Sequence, residues 1–377
     1  MELKLFTPGP TPLPLDVREA LSKPIIHHRS EDFQTLLKSI RPSLRKAFGT
    51  SQEVMLLSSS GTGGMEAAVV SILRKSDRVL VIDAGKFGER FSKLTQTFGI
   101  KTDVLRIDWG KSLDLNDLKQ HLTSEHTALL LQHSETSTGA LHPLEEICKW
   151  VKREFPACLI LVDGITSIGA MPFLMDEWGV DAAITGSQKA FMCPPGLAMV
   201  SLSARALERL DNRDLPGFYF DLKREWIAIQ KNTTAFTPAI NIIQGLAAAL
   251  QLMEKEGFAQ VYTRHRRLSE GVRAACPHLS LKLAAETPGV ACTSAFFPTS
   301  IDGKAFLKKV KNETGYHFAG AQEQWEGKVI RIAHLGAYSA DDLRAALIVL
   351  ANALSTAGIA VNSLKALEAF DRAYGAP

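Results

Sequence analysis

Ala182-Ala183-Ile184-Thr185-Gly186-Ser187-Gln188-Lys189-Ala190-Phe191 is an apolar run that stops abruptly at Gly-Ser-Gln-Lys. The segment from Val180 to Thr185, bounded by turn-forming residues, reads as a buried strand. Lys189 then stands just past its carboxyl end. Ligands of open parallel sheets bind at such strand ends, and a desolvated ammonium gives up its charge readily, leaving an amine that attacks aldehydes. Alone, the segment equally describes a surface lysine on a loop. Its company along the chain decides between the two.

Upstream, short apolar strands alternate with helical periodicity. The pattern predicts strands at Val54–Leu57, Arg78–Ile82, Asp103–Ile107, Ala128–Gln132 and Leu159–Val162, with Leu197–Leu202 following the lysine. Helices are expected over Met65–Leu73, Gly88–Thr97, Leu115–Leu122 and Leu144–Phe155. Repeated strand–helix units with fully apolar strands argue for an α/β fold, a mostly parallel sheet covered by helices on both faces.

The strand ends of such a sheet converge on one edge. Ser58-Ser59-Ser60-Gly61-Thr62-Gly63-Gly64 joins a strand to an alanine-rich helix, and small residues there let backbone N–H groups reach a phosphate. The spacing is neither a Walker A loop nor G-x-G-x-x-G. Phe87 lies on a glycine-flanked turn, able either to stack on a flat ligand or to pack in the core. His133-Ser134-Glu135-Thr136-Ser137-Thr138-Gly139 brings hydroxyls and a histidine after an apolar strand, and also suits a polar turn. Asp163 ends four apolar residues on a carboxylate, which in a buried setting needs a cation or donor. A carboxylate and a lysine on neighbouring strand ends, with an anion cradle and an aromatic ring, fit pyridoxal phosphate (PLP) better than other common cofactors.

Four prolines within residues 7–14 exclude helix or central strand there, leaving a stiff N-terminal arm over residues 1–14. His27, His28 and Arg29 precede a helix that Ser30 can cap. Beyond Pro238, helices are expected over Asn241–Lys255 and Phe258–Ala275, the second carrying Arg264, His265, Arg266 and Arg267 as a solvated basic face. Strands near Leu279–Leu283, Thr293–Phe297 and Val329–Ala333, with helices Gly303–Asn312, Ala340–Ala353 and Ser363–Ala373, complete a smaller C-terminal α+β unit. The expected division is an arm (1–14), a large α/β domain (15–256) and a small α+β domain (257–377).

With 43 Lys and Arg against 40 Asp and Glu, dispersed along the chain, the net charge of +3 gives no argument for nucleic acid. The five cysteines lack C-x-x-C spacing or histidine clustering, which points to reduced thiols in a cytoplasmic protein and to no metal site. The proline-broken N-terminus does not read as a signal peptide, and no apolar run is long enough to span a membrane.

Ser60-Gly61-Thr62-Gly63, Leu161-Val162-Asp163 and Gly186-Ser187-Gln188-Lys189-Ala190 with Pro194-Pro195-Gly196 together resemble the class V aminotransferases of PLP fold type I. The resemblance is strongest to the alanine–glyoxylate and serine–glyoxylate (serine–pyruvate) branch. Pro8-Gly9-Pro10, His133 to Gly139 and Arg331-Ile332-Ala333-His334-Leu335-Gly336 extend it over nearly the whole chain. It implies that Lys189 is the Schiff-base lysine and that Asp163 partners the pyridine nitrogen. It further implies that Ser60, Gly61, Thr62 and Gln188 hold the phosphate, Phe87 stacks on the ring and Thr136 contacts the ring's polar edge. Arg331 would grip the substrate carboxylate, with Gly9 beside the substrate. The resemblance also implies a homodimer in which a threonine of the neighbouring subunit, Thr237 or else Thr234, completes the phosphate site. The expected activity moves an amino group from alanine or serine to glyoxylate or pyruvate, small amino and 2-oxo acids. A second cation for a dicarboxylate is open while His28 and Arg29 are unplaced, and His334 is either a pocket or a structural residue. The rivals are a cysteine desulfurase-type lyase, which needs a reactive cysteine missing between Tyr316 and Gln324, and a non-catalytic scaffold subunit.

Overall fold

The computed structural model describes residues 3–375, so the outermost residues of the expected arm and of the small C-terminal unit lie outside the described residues. Its strands, in chain order, are β1 (Lys4–Phe6), β2 (Val54–Leu57), β3 (Arg78–Asp83), β4 (Lys101–Arg106), β5 (Ala128–Gln132), β6 (Ser134–Glu135) and β7 (Ala140–Leu141). They continue as β8 (Leu159–Asp163), β9 (Ala182–Gly186), β10 (Ala198–Leu202), β11 (Lys282–Leu283), β12 (Cys292–Phe296), β13 (Tyr316–Gly320) and β14 (Val329–Ala333). The first four helices are α1 (Leu15–Leu21), α2 (Glu31–Phe48), α3 (Gly61–Ile72) and α4 (Lys86–Thr97).

Seven strands form the large sheet in the order β2-β10-β9-β8-β5-β3-β4. Only β10 runs against its neighbours, so the sheet is mostly parallel. β2, β5, β8 and β9 are buried along their whole length, as continuous apolar runs between two helix layers require. One face packs against α2 and the helix Ile240–Glu256, around Phe33, Leu37, Leu44 and Leu246. The other packs against the alanine- and valine-rich α3. Ser30 accepts from the N–H of Phe33 and so caps α2 as its position in the sequence predicts.

A second sheet, β1-β13-β14-β12-β11, gathers its own core of Phe318, Ile330, Ile332 and Leu343. Its edge strand comes from the far end of the chain. Lys4–Phe6 pairs in parallel with Tyr316–Phe318, so the arm opens as a strand before its prolines release it. Strand β13 itself escapes the sequence reading, because Tyr-His-Phe-Ala-Gly lacks the uninterrupted apolar run of the other strands. The short helices α1 and Leu222–Ile229 are likewise seen only in the structure.

The basic run in Phe258–Ala275 is corrected. His265 is fully buried, with its ring nitrogens against the carbonyl oxygens of Ala170 and Gly336. Arg264 donates to the carbonyls of Gly336 and Tyr338. Successive helical residues point about 100° apart, so four consecutive ones cannot share one solvated face.

Candidate active site

Strands β8 and β9 are parallel neighbours, with Asp163 opposite Ile184. Asp163 is the last residue of its strand, and Lys189 follows its own by three residues. The topology therefore sets the carboxylate and the amine on one edge. Both are inside the protein, Asp163 at 4% exposure and Lys189 at 9%. Burial pushes the Asp163 carboxyl up to about 6, opposed by the Ile165 N–H and by the charges of Arg90 and Lys189. Burial pulls the Lys189 ammonium down to about 8, with Arg331 pulling the same way. Each group is thus biased toward its neutral form, and each feels the other's charge.

Lys189 Nζ donates to the carbonyl of Pro8 at 2.7 Å. The Pro-Gly-Pro arm therefore lies directly on the amine, held there by Thr11, whose hydroxyl donates to the Lys189 carbonyl at 3.0 Å. Gly9 has φ of 138°, and a Cβ on it would stand 2.5 Å from Lys189 Nζ. Gly9→Ala is expected to displace the amine and strain the arm, lowering kcat by about 100-fold, the scale of a 1 Å misplacement, with little change in melting temperature. Steady-state kinetics beside a thermal melt check it.

Arg331 projects from β14 and is held by three hydrogen bonds. Nε and Nη2 donate to the Gly320 carbonyl at 3.0 and 2.7 Å, and Nη1 donates to the Thr136 carbonyl at 3.0 Å. A fixed guanidinium suits recognition of a carboxylate, because little side-chain freedom remains to be lost on binding. Thr136 engages its hydroxyl with that of Thr166 at 2.9 Å. Cys292, first in β12, is buried close enough to Lys189 and Arg331 to feel both charges.

Ser60 precedes α3 in an extended conformation without capping it through its side chain, so the first turn at Gly61 and Thr62 offers uncapped N–H groups at the positive helix end. Gln188 keeps a buried, unpartnered Oε1 nearby in the sequence of the lysine loop. Arg90 joins the group unannounced by the sequence reading. Its Nη1 donates to Thr62 Oγ1 at 3.0 Å, and its guanidinium lies 5.0 Å over the Phe87 ring. The missed signal was spacing, since residues three apart on a helix share a face. Phe87 itself occupies the first turn of α4 rather than a turn before it.

Other candidates fall elsewhere. Arg29 donates to Thr233 Oγ1 at 2.7 Å and to the Thr234 carbonyl at 2.8 Å, bracing the loop ahead of Pro238. Thr237 is exposed, its Oγ1 3.5 Å from His28 Nε2. Thr234 is buried and spends its hydroxyl on the Phe236 carbonyl. His334 is structural, wedged between the Val290 carbonyl and Thr293 Oγ1. No group of His, Cys, Asp or Glu among the described residues could hold a metal ion.

The residues fit pyridoxal phosphate. A buried carboxylate neighbours a lysine whose ammonium is destabilised by burial, an uncapped helix end and the buried Gln188 oxygen follow the carboxyl ends of the parallel strands β2 and β9, and an aromatic ring stands on α4. The comparisons agree. The class V aminotransferase family model (Aminotransferase class-V) matches residues 5–338. A Synechococcus sp. (strain PCC 6716) protein named soluble hydrogenase, small subunit, is 38% identical over 359 residues, covering 94% of this chain and 93% of that protein. The L-aspartate–glyoxylate aminotransferase of Paracoccus denitrificans is 35% identical over 340 residues, covering 88% and 86%. The crystal structure of an alanine–glyoxylate aminotransferase from Nostoc sp. superposes with a TM-score of 0.88 at 30% identity, covering 95% and 96%. A lysine and a carboxylate buried on adjacent strand ends and a family match over nearly the whole length lead to one conclusion: the chain belongs to the class V aminotransferases, which are PLP-dependent transaminases.

Proposed function

We propose that this aminotransferase moves the amino group of a small amino acid, alanine or serine, to glyoxylate or pyruvate. The observation that carries the reading is the Arg331 guanidinium, fixed by three hydrogen bonds and near enough to Lys189 to act on its charge. One immobilised fork serves one carboxylate.

Lys189 would hold the cofactor aldehyde, Asp163 its pyridine nitrogen, and Ser60, Gly61, Thr62 and Gln188 its phosphate, with Phe87 against the ring and Thr136 at its polar edge. When bound, pyridoxal phosphate supplies an electron sink for the pair released at the substrate α-carbon. Lys189, whose ammonium burial makes easier to deprotonate, would take the substrate Cα proton on its amine and release it again on the same face. Arg331 fixes the carboxylate so that the Cα–H faces the amine. The arm at Pro8 and Gly9 covers the amine and keeps bulk water from it. Thr237 of the partner subunit is proposed to complete the phosphate site, making the active form a homodimer, and Thr237's exposed hydroxyl is consistent with that role. The arm (1–14), large domain (15–256) and small domain (257–377) are proposed as the units around this site, in a cytoplasmic enzyme. No helix among the described residues is long and apolar enough to cross a membrane.

A second reading, a dicarboxylate donor such as aspartate, is favoured by Arg90, a further cation within electrostatic reach of Lys189 and Asp163. The lyase reading loses support, because all five cysteines are buried and none lies on an exposed loop. A scaffold would have no use for a desolvated lysine facing a buried carboxylate.

The test is a donor series with glyoxylate as acceptor. Alanine or serine is expected to exceed aspartate in kcat/KM, and Arg331→Lys to lower every donor by about 100-fold, about 3 kcal/mol for a bidentate charged contact. Preference for aspartate that is lost on Arg90→Ala would establish the second reading. No turnover with any of the three would overturn both.

A further inference from the structure

Helix α4 carries Phe87 but cannot cap itself. The residue before it is Gly85 two positions ahead of the ring, which has no side chain to offer. Its first N–H groups are met from another part of the chain, the end of β6 and the turn that follows it. The N–H of Lys86 donates to Ser137 Oγ at 3.1 Å, and those of Phe87 and Gly88 donate to one carboxylate oxygen of Glu135 at 3.1 and 3.0 Å. The other oxygen of Glu135 accepts from the Ser137 N–H at 3.1 Å and its hydroxyl at 2.6 Å. The first three amides of the helix are thus capped by a clamp of two side chains. Glycine at position 85 is what admits that clamp, since a Cβ there would stand 2.5 Å from Ser137 Oγ and 2.8 Å from Glu135 Cδ.

We propose that Glu135 is a positioning residue, gripping the amides of Phe87 and Gly88 so that the Phe87 ring is fixed at the cofactor face. The inference rests on the reading of Phe87 as the ring-stacking residue. Three features support it. Glu135 is fully buried, so its carboxylate has no water to trade for the four donors. A carboxylate at a helix N-terminus is favoured by the helix dipole as well as by its hydrogen bonds. The same turn supplies the Thr136 carbonyl that holds Arg331, so one short segment orients both the ring and the substrate clamp. Burial, with the Asp163 charge, lifts the Glu135 acid to about 7 against the donors that hold its carboxylate, so the clamp rests on the hydrogen-bond geometry.

The test is a double-mutant cycle read as pyridoxal phosphate dissociation constants, with full-length protein stripped of cofactor and then titrated. Phe87→Ala is expected to weaken binding by about tenfold, the loss of one stacking contact. Glu135→Ala is expected to weaken it by about tenfold when Phe87 is present and by less than about twofold in the Phe87→Ala background, because it acts through that ring. Glu135→Gln, which retains an oxygen for the two amides but turns an NH2 toward the Ser137 N–H, is expected to lose clearly less than Glu135→Ala. Amide hydrogen exchange at residues 86–88 of the cofactor-free protein is expected to speed up in Glu135→Ala and to stay near the parent in Glu135→Gln. Equal losses from Glu135→Ala in both backgrounds would overturn the positioning role while leaving the stacking of Phe87 intact. Unchanged affinity in Phe87→Ala would overturn the stacking reading and this inference with it. A loss in Glu135→Gln as large as in Glu135→Ala would overturn the grip on the amides in favour of charge. Should Glu135→Ala fail to fold, Ser137→Ala replaces it in the cycle, with a loss of about threefold expected only when Phe87 is present and equal losses in both backgrounds again overturning the role.

Discussion

Lys189→Ala is expected to lower turnover by about 10⁴-fold or more, the upper range for a positioned base, while the protein keeps its fold. The amine is held against the Pro8 carbonyl and within reach of the Asp163 charge. With the amine lowered to about 8, about a quarter of it is neutral at pH 7.5, against about a thousandth at its ordinary value near 10.5. The same burial means that the cation costs the cofactor-free fold something below pH 8. Because the folded value lies under the unfolded one, stability contributed by this group rises with pH between about 8 and 10.5. The alanine variant is therefore expected to melt no lower than the parent at neutral pH, with the lost hydrogen bond to Pro8 as the opposing effect. Single-turnover kinetics with amino acid alone, alongside a near-ultraviolet circular dichroism spectrum, measure both halves. Sustained multiple turnover by this variant would sink the catalytic assignment of Lys189.

Asp163→Asn is expected to cut kcat by about 10³-fold and to act on the cofactor-free protein in the opposite direction. On the proposed role of Asp163, its carboxylate would keep the pyridine nitrogen protonated, and an amide would not. In the cofactor-free protein the burden falls the other way. Asp163 titrates at about 6 when folded and near 3.8 when exposed, so the folded state holds a proton that the unfolded chain has released. Stability from this group is full below about pH 3.8 and is lost as pH rises through about 6, in all about 3 kcal/mol by linkage. Asparagine removes that loss. The melting temperature of the cofactor-free variant, relative to the parent, is expected to climb by about 4 °C between pH 4 and pH 7.5, the shift such an energy gives a chain of this length. Thermal melts at the two pH values, with turnover assays on loaded protein, separate the effects. A pH-independent difference in melting would show that Asp163 is not the buried, reluctantly ionised carboxyl described here.

The parallel strands were legible because a strand buried on both faces must be apolar throughout, and Leu129 to Leu131 or Ile160 to Val162 admit no other reading. Asp163 and Lys189 stood out for the same reason, as polar residues at the end of runs that should lead inward. Arg331 was carried by a family resemblance, and its hydrogen bonds to Gly320 and Thr136 lie 11 and 195 positions away, beyond any local pattern. Arg90, Glu135 and Cys292 escaped for a related cause. Each owes its place to a contact across the fold, and none departs from what a helix, a polar turn or an apolar strand ordinarily contains. His265 misled in the opposite sense, since a histidine within a basic run sits against buried carbonyls, whereas His334, open between a pocket and a structural role, takes the structural one.

Sequence alone determined the α/β alternation, the edge of the sheet on which Asp163 and Lys189 come together, and the opposite character of those two groups. These follow from local rules, burial on two faces and the cost of an unpaired charge, which act within a few residues. Tertiary structure alone decided which partners those groups meet. It laid the Pro8–Gly9 arm on Lys189, brought β1 beside β13 across the length of the chain, and let Glu135 and Ser137 cap a helix preceded by a glycine. Such contacts are chosen by the packing of whole layers, and the residues making them carry no mark of it in their immediate neighbours.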